Sequence, residues 1–371
     1  MSPPESASAA ILCWQRLPCN AFPRRELAFA VVLVSLALLG AATGLDQAFP
    51  PMPGEAPTAE RIELGRLLFF DPVLSRDGSL SCAHCHRPDR GFADGLATAR
   101  GLGGARLARN TPTLYNAALK PRLMWDRRAA SLEEQVLLPL LAPDELAADP
   151  PQLLARLAAI PEYRERFAAA FPDNVGSAAN AATPAITLAN LARALAAFER
   201  TLVSRASRFD RFAQGERAAL SASERNGLTL FRSLATRCFE CHRLPTFDAP
   251  LALSVGVPSP DPGAAAITGL AAQHGFFGVP TLRNVALSAP YMHDGSLAKL
   301  EDVVEFYRRG GGLALGVPAA RLHEFVRPIE MTDAEAADLV AFLRALTDES
   351  ARPALPERVP SGLPVMAGIA P

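Results

Sequence analysis

Residues 82–86 read Cys-Ala-His-Cys-His, and residues 238–242 read Cys-Phe-Glu-Cys-His. Two cysteines in this spacing, followed directly by histidine, are the signature of covalent c-type haem attachment. We expect thioether bonds to the porphyrins from the four cysteines of these motifs: Cys82, Cys85, Cys238 and Cys241. The adjacent histidines, His86 and His242, are the expected proximal ligands of the haem irons. A zinc site or a thioredoxin-like motif is disfavoured, because both motifs end in His and neither lies in a strand–helix–strand pattern.

The composition indicates a helical protein large enough for two domains. The chain has 371 residues, of which 20% are charged, and a formal net charge of -1. Nothing in this balance indicates the basic domain that nucleic-acid binding requires. Aromatic residues make up only 7% of the chain, Ala and Leu are abundant, and β-branched runs are few. We therefore predict a mostly α fold with few or no strands, in which two cytochrome c-like haem domains pack together.

An apolar segment, residues 27–45, follows the basic pair Arg24-Arg25. We interpret residues 1–45 as a secretory signal peptide or, if it is retained, an N-terminal membrane anchor. Cys13 and Cys19 precede the apolar segment, so the mature domain has no disulfide framework. Covalent haem attachment generally takes place on the outer face of the bacterial inner membrane. The sequence therefore predicts a periplasmic protein, with an inner-membrane anchor as the open alternative.

Pro-rich segments flank the haem-binding part of the chain, and a weak internal repeat lies between them. Residues 46–57 are predicted to form a linker, and residues 351–371 a poorly ordered tail. In the repeat, a helical segment runs into each Cys-x-x-Cys-His motif, and Phe and Asp follow it. The matching residues are Glu60, Arg61, Gly65, Phe69, Phe92 and Asp94 in the first copy, and Glu224, Arg225, Gly227, Phe231, Phe247 and Asp248 in the second. Two related haem domains are the simplest interpretation.

Capping-box spacing predicts where three helices begin. The pairs are Ser131 with Glu134, Ser221 with Glu224, and Thr332 with Glu335. Residues 186–203 also have helical periodicity. Gly and Pro punctuate residues 245–280, which are predicted to form a loop with little regular structure.

A haem that reacts with hydrogen peroxide needs an open sixth coordination position and polar groups that move a proton. Residues 87–110 contain no His or Met, so a sixth ligand for the first haem would have to come from elsewhere. Gln135 and Glu145 could supply a hydrogen bond and a general acid or base there. A sixth ligand for the second haem has five candidates, and spacing does not choose among them: Met292, His293, Tyr307, His323 and Met331.

Residues 58–347 resemble the bacterial di-haem cytochrome c peroxidase superfamily. The stretches that carry the resemblance are LGRLLFFDPVLSRDGSLSCAHCHRPDRGFADG (64–95), RNTPTLYNAALKPRLMWDRRAASLEEQVLLPLLAPDEL (109–146) and VPTLRNVALSAPYMHDGSLAKLEDVVEFYRRGG (279–311). The resemblance implies an N-terminal peroxidatic haem domain at 58–205 and an electron-transfer haem domain at 206–332. It also implies that the last helix, 333–347, packs back on the first domain.

The resemblance further implies roles for individual residues. Trp125 matches a tryptophan between the haems that carries electrons. Three residues match the distal pocket of the peroxidatic haem: Gln135, Pro139 and Glu145. A Ca²⁺ ion between the haems would be held by the side chain of Asn110 and by backbone carbonyls of Ser288 and Pro290, and such oxygen ligands suit this cation.

Two departures from the usual pattern resemble the MauG and MbnH branch. A histidine that usually caps the peroxidatic haem is missing, because residues 99–103 read Ala-Arg-Gly-Leu-Gly. Tyr307 stands where the usual peroxidases have a methionine ligand of the second haem. Anionic phenolate stabilises high-valent iron far better than a thioether does. The resemblance therefore implies a five-coordinate first haem and a second haem ligated by His242 and Tyr307.

Three functions follow from these observations. The first is a peroxidase that forms a high-valent bis-Fe(IV) state and oxidises Trp or Tyr residues of a partner protein, with electrons leaving through surface aromatic residues. The second is a cytochrome c peroxidase that reduces peroxide to water with electrons from a small cytochrome c or cupredoxin. The third is an electron carrier or redox sensor without turnover, which the pair Gln135 and Glu145 disfavours.

Overall fold

The computed structural model describes residues 44–54, 56–172 and 185–365. The predicted signal or anchor segment, except its last two residues, lies outside these ranges. Within them, no helix combines the length and the apolar character needed to cross a membrane.

Helices dominate the described part of the chain. They are α1 (Ala59–Phe70), α2 (Cys82–Cys85), α3 (Leu132–Leu141), α4 (Pro150–Ala159), α5 (Pro161–Ala170), α6 (Leu188–Glu199), α7 (Arg208–Ala213), α8 (Ala222–Phe231), α9 (Cys238–Cys241), α10 (Ala265–Thr268), α11 (Leu300–Arg308) and α12 (Asp333–Arg344). Strands β1 (Ala252–Leu253) and β2 (Phe277–Gly278) pair antiparallel, with Ala252 opposite Gly278. The predicted mostly α fold with few strands is confirmed, and the predicted loop at 245–280 contains this small sheet.

Each half of the fold is built around a tightly packed helix pair. In the first half α1 packs on α6, and in the second half α8 packs on α12. Gly65 in α1 and Gly227 in α8 allow this approach, because a Cβ atom at either position would clash with the backbone carbonyl of Ala194 or Asp338 on the facing helix. The helix that precedes each haem motif is thus held in the same way, and the predicted internal repeat is confirmed.

The prediction that residues 333–347 return to the first domain is wrong. Helix α12 buries Phe342 and Leu343 in the second core, where Phe231 of α8 also lies. The rings of Phe231 and Phe342 are 5.3 Å apart. The missing side chain of Gly227 lets α12 pack closely on α8. The apolar face of α12 is therefore buried within the second half.

The C-terminal tail, rather than the last helix, reaches the first half. Val359 is 1% exposed and belongs to the first core, against which Leu363 also packs. The Ser361 hydroxyl donates a hydrogen bond of 2.6 Å to the buried carboxylate of Asp71. The expected poor order of the tail is therefore wrong for residues 351–365, and residues 366–371 lie outside the described ranges.

The predicted linker, residues 46–57, has no helix or strand where it is described, but it is anchored to the second half. Leu45, directly before it, is buried in the second core. The ring of Phe49 lies 4.9 Å from the guanidinium of the buried Arg283.

The repeat continues beyond the haem motifs. Bridges between Leu123 and Ala129 and between Tyr291 and Leu297 close equivalent turns in the two halves. Met124 and Met292, each directly after the first residue of its bridge, have left-handed backbones with φ of 70° and 72°. Because these turns correspond, residues that follow them at equal distances occupy equivalent positions.

Candidate haem cavities

The first haem motif opens into a cavity in the first half. His86 and Cys85 line this cavity. A bridge between Arg87 and Ala93 folds the chain back after the motif, and Phe92 adopts a left-handed backbone with φ of 62°. This turn brings the Phe92 carbonyl to 2.9 Å from His86 Nδ1. Because a carbonyl only accepts, Nδ1 carries the proton and Nε2 remains free to bind a metal.

The second motif is arranged in the same way around a second cavity. Cys238, Cys241 and His242 line it. The left-handed backbone of Phe247 (φ of 54°) places its carbonyl 3.1 Å from His242 Nδ1. The imidazole is again held in the tautomer that leaves Nε2 as the free nitrogen.

The residues of both cavities fit covalently bound haem c. The described cysteines, Cys82, Cys85, Cys238 and Cys241, are all free thiols and only partly exposed. Each motif thus offers two thiols for vinyl groups beside an imidazole whose Nε2 is available to iron. When bound, the haem supplies redox-active iron that takes up peroxide and holds oxidising equivalents.

The residues expected in the distal pocket line the first cavity together. They are Gln135 and Pro139 of α3, and Glu145 just after this helix. Burial raises the pKa of Glu145, and the neighbouring charge of Asp144 adds to this effect. A carboxyl of this kind exchanges a proton at a higher pH than a solvated one, as general acid–base chemistry requires.

Met124, which sequence reasoning missed, also lines the first cavity. Gln135 Nε2 lies 3.7 Å from its sulfur and donates a hydrogen bond to it. Methionine is a known haem ligand type. The equivalence of Met124 and Met292 in the repeat could have signalled this residue in advance.

The second cavity contains all five candidate sixth ligands named from the sequence: Met292, His293, Tyr307, His323 and Met331. Tyr307 belongs to α11, and burial raises the pKa of its phenol. The Nδ1 atom of His323 accepts a hydrogen bond from the backbone of Phe325, at 3.3 Å. The imidazole of His293 stacks on Phe277, with ring centroids 3.7 Å apart.

Equivalent positions in the two halves carry different chemistry. Pro139 follows Leu123 at the same distance in sequence as Tyr307 follows Tyr291. Since Leu123 and Tyr291 begin the equivalent bridges, Pro139 and Tyr307 occupy equivalent positions. The same count pairs Gln135 with Val303, which lines the second cavity. The first cavity therefore has a polar side chain where the second has an apolar one. It has no ligating atom at the position of the Tyr307 phenol.

Trp125 lines both cavities and so forms part of the wall between them. Its indole N–H donates to the carbonyl of Asn110 at 2.9 Å, and the backbone N–H of Asn110 donates to the carbonyl of His293 at 2.7 Å. The Trp125 ring meets Phe277 edge-on at 6.5 Å. The indole is thus held by hydrogen bonds that link the two halves.

The three residues expected to hold calcium, Asn110, Ser288 and Pro290, all line the second cavity. The side-chain amide of Asn110 donates to the carbonyl of Leu96 at 2.9 Å, which leaves its oxygen to face a cation. No group of three or more His, Cys, Asp or Glu side chains among the described residues could hold a metal ion. Because the expected ligands are amide and carbonyl oxygens, calcium remains a prediction.

Two cavities, each with a Cys-x-x-Cys-His motif and with a tryptophan in the wall between them, define a di-haem c-type cytochrome. The family described as di-haem cytochrome c peroxidase matches residues 59–218. The methylamine utilization protein MauG of Methylorubrum extorquens is 39% identical over 303 residues, which cover 81% of this chain and 82% of that protein. The chain belongs to the di-haem cytochrome c peroxidase family.

Two further similarities support this membership. The cytochrome c551 peroxidase of Nitrosomonas europaea is 33% identical, over 91% of this chain and 96% of that protein. The crystal structure of a MauG-like protein associated with microbial copper homeostasis superposes with a TM-score of 0.74 at 34% identity, over 83% of this chain and 96% of that one. The chain is thus a di-haem peroxidase, an oxidoreductase that acts on hydrogen peroxide with two haem c groups.

Proposed function

We propose that this peroxidase is a MauG- or MbnH-like enzyme, which reacts with peroxide at the first haem and oxidises Trp or Tyr residues of a partner protein. The observation that carries the proposal is the pairing of Pro139 with Tyr307 at equivalent positions. Proline has no side-chain ligand atom, so the first iron would keep an open position. The phenol of Tyr307 would close the second and help it to hold an oxidising equivalent.

The residues of the first cavity suit peroxide cleavage. Glu145 would take the proton from the bound peroxide oxygen and return it to the departing oxygen, which leaves as water. Gln135, beside it on the cavity wall, would orient the peroxide through its amide. Trp125, which lines both cavities, would provide a path for electrons between the two haem sites.

The route to the partner protein differs from the one expected from the sequence. The described tyrosines, Tyr115, Tyr163, Tyr291 and Tyr307, are buried or half-buried, as is Trp125. The described residues therefore offer no exposed Trp or Tyr through which electrons could leave. We propose that the partner's aromatic side chain approaches the second haem itself.

The second candidate is a peroxide-reducing enzyme fed by a small cytochrome c or cupredoxin. The near full-length similarity to a cytochrome c551 peroxidase favours it. The two candidates share three assignments. The haem domains are residues 58–205 and 206–332, with α12 added to the second domain because it packs in the second core. A Ca²⁺ ion is held by Asn110, Ser288 and Pro290, and the location is periplasmic, with the N-terminal segment as signal or anchor.

Optical and EPR spectra of the ferric protein, before and after one equivalent of peroxide without reductant, separate the candidates. The proposal requires one high-spin and one low-spin haem, and a long-lived product with near-infrared absorption. Two low-spin haems that react with peroxide only after half-reduction would establish the cytochrome-fed peroxidase instead.

A further inference from the structure

Glu199, the last residue of α6, lines the first cavity and has no part in the function proposed above. The residue is 5% exposed. Its Oε2 atom is fully buried and has no hydrogen-bond partner among the described residues. A buried polar atom without a partner costs free energy, so such an atom in a cavity calls for a functional explanation.

The surroundings of Glu199 favour its protonated form. Burial raises the pKa of Glu199 to about 8, because the charge of Arg200 opposes it only in part and the charge of Glu133 adds to it. The Nη1 and Nη2 atoms of Arg200 are engaged, since they donate to the two carboxylate oxygens of Glu133, at 2.8 and 3.1 Å, whereas its buried Nε has no hydrogen-bond partner among the described residues. Burial and the missing hydrogen-bond partner of Oε2 therefore both favour a protonated Glu199 inside the cavity.

Glu199 enters the cavity on the side of the peroxide-cleaving residues. Helix α6 packs on α3, the helix of Gln135 and Pro139. Besides burial, the carboxyl groups of Glu199 and Glu145 both act on the pKa of the Cys82 thiol, so both lie near the same thioether position. Burial lowers the pKa of the proximal His86, and the carboxylate whose charge opposes this effect is Asp94, not Glu199 or Glu145.

The second half shows that the fold does not require a carboxyl at this position. Gly65 faces Ala194 and Phe198 of α6, and Gly227 faces Asp338 and Phe342 of α12. The residue that follows Phe198 is Glu199, and the residue that follows Phe342 is Leu343. Leu343 is buried and lines the second cavity. The carboxyl thus occurs only in the half whose haem is proposed to react with peroxide.

We propose that Glu199 is a second proton donor of the first cavity, which supplies a proton when the oxidised enzyme is discharged. Cleavage of peroxide moves one proton from one peroxide oxygen to the other and needs none from outside. Discharge differs, because the balance H₂O₂ + 2H⁺ + 2e⁻ → 2H₂O requires two protons to arrive with the two electrons. Glu199 would give one of them and then take a replacement from solvent. The inference rests on the proposed assignment of the first haem as the peroxide site.

The test uses the purified di-haem protein and compares Glu199→Gln with Glu145→Gln. One equivalent of peroxide starts the first phase, and ferrocyanide, an inorganic one-electron donor, then discharges the product. We expect Glu199→Gln to slow the return of the resting spectrum by at least about tenfold, and to slow this phase more than the peroxide phase. Glu145→Gln should slow the peroxide phase more.

Infrared spectroscopy supplies a measurement independent of turnover. The resting wild-type protein at neutral pH should show a carboxylic-acid carbonyl band that shifts in D₂O and is absent from Glu199→Gln. Glu199→Leu introduces the residue found at the equivalent position of the second half, Leu343, and should lose the same band.

A band that persists in both variants, or an unchanged discharge rate in both, overturns the inference while the proposed function stands. A wild-type protein whose first haem does not react with peroxide overturns the two together.

Discussion

Pro139 and Tyr307 occupy equivalent positions on helices α3 and α11, each facing the haem cavity of its own half. The repeated architecture thus lines both cavities with the same helix. One of the two equivalent residues carries a ligating atom and the other does not. Under the proposed function, this contrast would let one fold, used twice, hold one reactive haem and one storage haem.

Tyr307→Phe tests the axial ligand. We expect loss of the tyrosinate signature in the optical and EPR spectra of the ferric protein, because phenylalanine has no oxygen to bind iron. Tyr291→Phe is the matched control, since the Tyr291 hydroxyl donates to the carbonyl of Val285 at 3.0 Å and should leave the spectra unchanged. A spectrum of Tyr307→Phe identical to that of wild type would remove the phenol from the iron.

Glu145→Gln tests the acid–base group. We expect the rate of peroxide cleavage to fall by about 10²–10⁴-fold, the usual contribution of a positioned proton-transfer group. Stopped-flow absorbance of the ferric protein mixed with peroxide measures this rate. Glu165→Gln removes an equal charge from the exposed surface of α5 and should react like wild type. Near-normal cleavage in Glu145→Gln would make Glu145 a structural residue.

Stability should depend on pH through Glu199. The folded-state pKa is raised from 4.5 to about 8, so the folded chain keeps a proton that the unfolded chain releases. The contribution of the protonated Glu199 carboxyl to the free energy of unfolding is fully present at pH below 4.5 and is lost as pH rises through about 8. Relative to Glu199→Gln, the wild-type free energy of unfolding should fall by up to about 1.4 kcal/mol per pH unit in that window.

Denaturant unfolding of the di-haem protein between about pH 5 and 8 measures this difference. Glu165→Gln serves as the control and should follow the wild-type curve. A constant gap between wild type and Glu199→Gln across the range would mean that Glu199 is ionised in the folded state.

Gly227→Ala tests the helix contact that fixes the second half. The added Cβ would meet the carbonyl of Asp338, so α8 and α12 would have to separate. We expect the free energy of unfolding to fall by about 1–3 kcal/mol, as for other overpacked sites. Thr229→Ala, on the exposed side of α8, should change it by less than about 0.5 kcal/mol. Equal stabilities of the two variants would show that the helix pair tolerates a wider spacing.

Local patterns in the sequence predicted local structure well. Ser221 with Glu224 and Thr332 with Glu335 form complete capping boxes. Ser131 caps α3 as predicted, but Glu134 accepts from the backbone N–H of Ala130 instead of that of Ser131. A capping box depends on residues three positions apart, so nearby sequence is enough to specify it.

Long-range packing was harder to predict. The periodicity of α12 shows which face is buried, but it does not show which helix covers that face. It therefore offered no check on the wrong prediction, taken from the resemblance, that residues 333–347 return to the first domain. Glu199 was missed for a related reason. Its place in the cavity arises from the packing of α6 on α3, and a Glu at the end of an amphipathic helix is ordinarily solvated.

The two ends of the described chain cross over. Leu45, near the start, is embedded in the second half, whereas Val359, near the end, is embedded in the first. The two ends of the described chain therefore link the two halves. If the halves moved apart, Leu45 or Val359 would be pulled out of the core in which it is buried. Electron tunnelling weakens steeply with distance. These two buried contacts would keep the distance between the two haem sites constant from one turnover to the next.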